Sequence, residues 1–153
     1  MSGAFGSPPV NQGYAGELDS PQAWKRLGED ALAQLIDVRT DAEWRYVGVP
    51  DLSSIARQPL LIEWQRYPGL GQNPDFVDEV TAALERAGYR EGAALYFLCR
   101  SGSRSRAAAM VMTAAGYGPC FNVRDGFEGG LDDDRHRGSA SGWKVAGLPW
   151  VQS

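Results

Sequence analysis

The sequence is short of the residues from which several kinds of binding site are built. Two cysteines in 153 residues are too few for a disulfide framework of the secreted kind. The one histidine, His136, has no companion Cys or His residues at zinc-ligand spacing, so no metal site is expected. Lysine occurs only at Lys25 and Lys144, and the formal net charge is −4. A basic face broad enough for nucleic acid or an anionic membrane is excluded, and any capacity to bind anions must be local. No apolar run approaches the ~20 residues of a membrane-spanning helix. The opening "MSGAFGSPPVNQGYAG" has neither the basic start nor the apolar core of a secretory signal, so the expected location is the cytoplasm. There is no GxxxxGK phosphate loop, which removes the P-loop nucleotide hydrolases.

What remains is an ordinary globular composition, 43% hydrophobic, in a length that suits one domain. Residues 1–15, rich in Gly, Pro, Ser and Asn without a period, predict a flexible arm, and 16–153 the domain. "LDSPQAWKRL" predicts a short helix with Ser20 as N-cap and Pro21 in the first position. "ALAQLIDV" (31–38) and "PLLIEW" (59–64) read as strands, "DAEWRYV" as a turn or two of helix, and "YPGLGQNP" (67–74) as a loop. "NPDFVDEVTAALERAGY" places Phe76, Val77, Val80, Ala83, Leu84 and Ala87 at helical spacing, with Gly88 ending the helix. "ALYFLC" then reads as a central strand, "SRSRAAAMVMTAAGYG" as a helix and "CFNV" as a last strand. Alternating strands and helices predict an α/β fold, a three-layer sandwich whose mostly parallel sheet of about five strands carries helices on both faces.

This order puts Cys99 at the C-terminal end of a strand, where open α/β sheets bind their ligands. The turn into the next helix aims backbone N–H groups into one concavity, and the helix terminus adds partial positive charge. A thiolate beside such a terminus and close to arginines titrates well below the ~8.5 of a free thiol, which makes Cys99 the expected nucleophile. Gly102 supplies a positive φ or room for a substrate, and Ser101, Ser103 and Ser105 supply hydroxyl donors. Cys120, in "GPCFNV", reads as core packing, and as a resolving thiol only if the fold brings it near Cys99.

Other candidates read as structural. Asp37 and Arg39 end a neighbouring strand and read as an ion pair supporting the loop, with Glu43 in the same network. Asp132, Asp133 and Asp134 point in different directions and read, like His136, as solvated loop. The five tryptophans read as core and rim, with Trp64 and Tyr67 the pair placed for substrate contact.

"LIDVRTDAEW", "YFLCRSGSRSRAAA" and "NVRDGFEGG", in that order, resemble the single-domain rhodaneses, the sulfurtransferase family, in outline over residues ~16–150. The resemblance implies a six-residue loop of Cys99, Arg100, Ser101, Gly102, Ser103 and Arg104, with sulfur carried as a Cys99 persulfide. The loop N–H groups and Arg104 would hold the persulfide and the incoming anion. The implied partners are a small anionic sulfur donor, such as thiosulfate, and a thiol, cyanide or protein acceptor, with no cofactor. A persulfide carrier with incidental turnover is the second reading. A cysteine phosphatase or arsenate reductase is the third, but the phosphatase loop needs arginine where this chain has Ser105. With four residues between Cys99 and Arg104, the smaller ring suits one sulfur better than a tetrahedral phosphate. The segment at 53–73 and the tail "HRGSASGWKVAGLPW" depart from the compact members and are placed to wall the site.

Overall fold

The computed structural model of the protein describes residues 13–152. Most of the expected N-terminal arm, residues 1–12, lies outside them. At 13–15 the chain already belongs to the fold: Tyr14 is buried, and the Ala15 N–H donates to the Cys120 carbonyl at 2.8 Å.

The elements run β1 (Gly16–Leu18), α1 (Ser20–Glu29), β2 (Gln34–Asp37), α2 (Asp41–Tyr46), β3 (Val49–Pro50), a 3₁₀ turn (Ser53–Ile55), β4 (Leu60–Leu61), β5 (Gln65–Arg66), β6 (Gly71–Gln72), α3 (Phe76–Arg86), β7 (Leu95–Leu98), α4 (Ser103–Ala114), β8 (Cys120–Val123) and β9 (Trp150–Val151). Five strands form one sheet in the order β1-β8-β7-β2-β4, every neighbouring pair parallel. β2, β7 and β8 are buried throughout, as the short apolar runs require of strands covered on both faces. On one face Ile36, Leu95 and Phe97 pack with Val80 and Leu84 of α3 and Ala108 and Met112 of α4. On the other, Leu35, Tyr96, Leu98 and Phe121 meet Ala23 and Leu27 of α1 together with Phe127 and Trp143. This is the expected α/β sandwich.

Local details depart from the sequence expectations. Asp19, not Ser20, caps α1 and completes a capping box with Gln22. Ser20 instead turns its backbone N–H and its hydroxyl to Asp125 Oδ1, at 2.9 and 2.7 Å. The strand expected over 59–64 is regular only in β4, although the Ile62 and Trp64 N–H groups still bond the ends of β2, at Asp37 O and Val38 O. The expected loop at 67–74 is the turn of a hairpin, with β5 and β6 paired antiparallel. The short tail strand β9, absent from the sequence reading, pairs antiparallel with β3.

Candidate functional site

Cys99 leaves β7 at its C-terminal end and α4 begins at Ser103, so strand becomes helix within four residues. Gly102 makes this possible. Its φ is +108°, and a Cβ there would lie 2.3 Å from the Arg124 carbonyl oxygen. The positive φ and the neighbouring backbone both require glycine here. That neighbour, residues 124–129, forms the floor of the loop. Phe127 N–H donates to Cys99 O at 2.8 Å, and the Glu128 and Gly129 N–H groups both donate to Arg100 O at 3.0 Å. Gly126, at φ +67°, comes so close that a Cβ would stand 2.3 Å from Arg100 O.

Held this way, Cys99 Sγ accepts the Gly102 N–H at 3.1 Å and lies 3.2 Å from Ser105 Oγ. No side chain caps α4, so its first amides remain available to negative charge. Of the three serines only Ser105 reaches the sulfur, and it is fully buried; Ser101 is half-buried and Ser103 exposed. Ser105 Oγ also lies 2.5 Å from Asn122 Oδ1. Asn122 Nδ2 in turn donates to Glu17 Oε1 at 2.8 Å and to Gly102 O at 3.0 Å. Asn122 and Glu17 were missed in the sequence. A polar residue in the otherwise apolar "CFNV" was the available signal.

Arg104 is clasped by Glu43 through two bonds, Nη1 to Oε1 at 2.8 Å and Nη2 to Oε2 at 3.0 Å. Glu43 is also the third residue of α2, closing a capping box with Thr40. Burial alone would raise the Glu43 carboxyl, but the bonds and charge of Arg104, with Thr40 and Arg39, hold it below its ordinary value. Burial likewise works against the Arg104 cation, and Glu43 outweighs it, so the guanidinium is held above its ordinary value. Glu43 thus bonds the loop arginine, while Arg39, its expected network partner, acts on it through charge. Asp37 and Arg39 are fully buried and joined at 2.7 Å, and the Arg39 guanidinium lies 4.2 Å from the Phe127 ring centroid. The pair thus packs against Phe127, the residue whose N–H donates to Cys99 O.

Arg100 is exposed, and Arg106 turns away along α4 toward the Tyr14 hydroxyl. Arg100 and Arg104 line a cavity of about 420 Å³ with Thr40, Glu43, Tyr67 and Arg137. Both unusual segments therefore reach the mouth, through Tyr67 and Arg137. Trp64 does not: it is buried edge-on against Phe76, with ring centroids 4.9 Å apart. A larger groove, about 760 Å³, lies between β4 and α3 but contains none of the loop residues. The smaller one is therefore the cavity beside the loop, although Cys99 itself is buried and does not line it.

Cys120 shares a sheet face with Cys99 but sits beside Leu95, four residues upstream of it. At the rise of a parallel strand the two positions are about 13 Å apart, beyond disulfide reach. Burial pushes the Cys120 thiol up to about 11. His136 is exposed, and Asp132 accepts the N–H groups of Asp134 and His136 within its own turn. No group of His, Cys, Asp or Glu among the described residues could hold a metal ion, and no helix among them is long and apolar enough to cross a membrane.

The sequence matches the family described as the STR4 middle domain over residues 16–153. A crystal structure of Rv0390 from M. tuberculosis is 47% identical, with a TM-score of 0.82, covering 92% of this chain and 99% of that one. The uncharacterized protein RP600 homolog of Rickettsia rickettsii is 38% identical over 131 residues, 86% of this chain and 93% of its own length. The chloroplastic rhodanese-like domain-containing protein 4 of Arabidopsis thaliana is 25% identical across 90% of this chain, which spans 26% of that protein. With its parallel sheet, its strand-end cysteine and a family match over nearly its whole length, the chain belongs to the STR4 middle-domain family, of rhodanese-like fold.

Proposed function

We propose that the protein is a sulfurtransferase that moves a sulfane sulfur from an anionic donor, thiosulfate or a persulfide, to a nucleophilic acceptor through a persulfide on Cys99. The observation that carries this is the setting of Cys99 Sγ, which accepts the Gly102 N–H at the uncapped start of α4 while Arg104 stands in the same loop. The Cys99 thiolate attacks the outer sulfur of thiosulfate. A Cys99–sulfur bond forms, the sulfur–sulfur bond of the donor breaks, and its electron pair leaves with sulfite. The persulfide anion takes the place of the thiolate among the loop amides. An acceptor such as cyanide or a thiolate then attacks the outer sulfur and restores the Cys99 thiolate. Sulfite leaves as a stable anion, so the step needs no general acid, in keeping with the absence of histidine from the loop.

The test is intact-mass measurement. After incubation with thiosulfate and removal of excess reagent, the protein gains one sulfur atom, and cyanide returns it to its starting mass with release of thiocyanate. Cys99→Ser abolishes both events and Cys120→Ser leaves them in place. A protein that never gains sulfur but hydrolyses an aryl phosphate through Cys99 is a phosphatase, and one that loads once but discharges slowly to small acceptors is a carrier.

A further inference from the structure

Four polar groups run across the sheet from the nucleophile to its edge: Cys99, Ser105, Asn122 and Glu17. Asn122 and Glu17 are register partners on β8 and β1, and Phe97, two residues before Cys99, is the partner of Asn122 on β7. All these side chains project to one face, because paired residues of neighbouring strands point the same way and the direction repeats every second residue. α4 lies over this face and contributes Ser105.

The direction of each proton follows from chemistry. Asn122 Nδ2 faces two groups that only accept, the Glu17 carboxylate at 2.8 Å and the Gly102 carbonyl at 3.0 Å. A flipped amide would set its oxygen against both, so Oδ1 must face Ser105. A hydroxyl has one proton. With Oγ 2.5 Å from Asn122 Oδ1 and 3.2 Å from Cys99 Sγ, the shorter contact, to an oxygen that has no proton of its own, takes it. Ser105 therefore turns a lone pair to the sulfur and accepts the S–H of the neutral thiol. Ser105 and Asn122 are 0% and 2% exposed, so water cannot relieve the arrangement.

We propose that Asn122 and Ser105 are positioning residues that oppose ionisation of the unloaded Cys99, a partial restraint set against the α4 terminus and Arg104. If Cys99 ionises, Ser105 must either swing its proton to the sulfur, leaving buried Asn122 Oδ1 without a donor, or keep a lone pair against an anion. Once Sγ is bonded to another atom it carries neither charge nor proton, so loading gives up the S–H contact with Ser105 but sets no anion against its lone pair. The restraint thus acts on the empty nucleophile and not on the loaded one. The proposal rests on Cys99 being the nucleophile, but not on sulfur being what it carries. The charged and titratable groups around the chain are Arg104, Glu43, Asp37 and Arg39 on the loop side, and Glu17, Tyr14 and Arg106 on the far side.

The test is the pH profile of Cys99 alkylation by iodoacetamide, a neutral reagent, in a Cys120→Ser background. Ser105→Ala removes the acceptor of the S–H proton, so the profile moves to lower pH and the rate on its rising limb increases by about tenfold, one hydrogen bond's worth. Asn122→Ala frees Ser105 to donate to the sulfur and moves the profile the same way. The Asn122→Ala/Ser105→Ala double variant shifts no further than Ser105→Ala alone. A profile that moves to higher pH in Ser105→Ala, as a donor serving the thiolate would require, or one that does not move, overturns the proposal. Ser105→Ala removes a single buried oxygen and gives the sign even if Asn122→Ala fails to fold. Absence of sulfur loading in the wild-type protein, alongside the predicted shifts, would sink the sulfurtransferase reading and leave this one standing.

Discussion

Arg104 lines the cavity beside the loop and is also half of an ion pair with Glu43, the two side chains each 18% exposed. The clasp fixes the guanidinium before any anion arrives, so little ordering remains to be done on binding. Arg104→Ala is expected to lower kcat/KM for thiosulfate by about 10- to 150-fold, the loss of one charge-assisted contact, and to affect a neutral sulfur donor less. Steady-state kinetics with both donors checks this, and Arg106→Ala, on a side chain that turns away from the loop, is expected to change neither. The two thiols should also differ. Cys120, pushed up to about 11 by burial and at the wrong end of its strand, should be alkylated at neutral pH much more slowly than Cys99, as peptide mapping after limited alkylation would show. Equal rates that rise only in alkali would remove the case for Cys99 as the poised thiol.

The turn between β7 and α4 rests on packing against residues 124–129 as much as on the loop itself. Gly102→Ala meets a positive φ and a carbonyl oxygen 2.3 Å from the new Cβ. We expect it to destabilise the fold by about 1–3 kcal/mol and to cost more activity than stability, because the displaced residue carries the N–H that faces Cys99 Sγ. Urea unfolding alongside sulfur loading separates the two losses. The hairpin of β5 and β6 is tied to α3 by Asn73, whose buried amide nitrogen donates to Glu63 O and Glu79 Oε1, both at 2.9 Å. Tyr67, in the turn of this hairpin, lines the cavity. The sequence showed "YPGLGQNP" as a loop by its prolines and glycines, but the strands on either side are two residues each, too short for alternation to register.

Across the whole molecule, the stability of the site depends on two ion pairs in different settings. The fully buried Asp37–Arg39 pair supports Phe127 and with it the loop floor. Removing one partner leaves an uncompensated buried charge, so Asp37→Ala should cost about 3–5 kcal/mol in urea unfolding. The Glu43–Arg104 pair makes a pH-dependent contribution. Because the folded Glu43 carboxyl lies below its ordinary 4.5, its stabilisation is complete above that value and is lost as pH falls through the lower folded one. Unfolding midpoints of the wild type and Glu43→Gln should therefore differ at neutral pH and converge in acid; a constant gap would show that Glu43 does not titrate with folding. The amino-acid sequence by itself determined the buried strands, the α3 and α4 helices and the strand–cysteine–glycine–helix turn. Each of these is written in a run of neighbouring residues, as apolar clusters, helical spacing and a glycine where the chain must turn. It also determined that Cys99 sits where a nucleophile would be useful. Only the tertiary structure decided which groups surround that cysteine. Glu43 reaches Arg104 across 61 residues and Glu17 reaches Asn122 across 105, and edge strands such as β9 exist only because β3 is there to pair with. Such contacts follow from strand order, register and the layer each helix covers, and local periodicity records none of these.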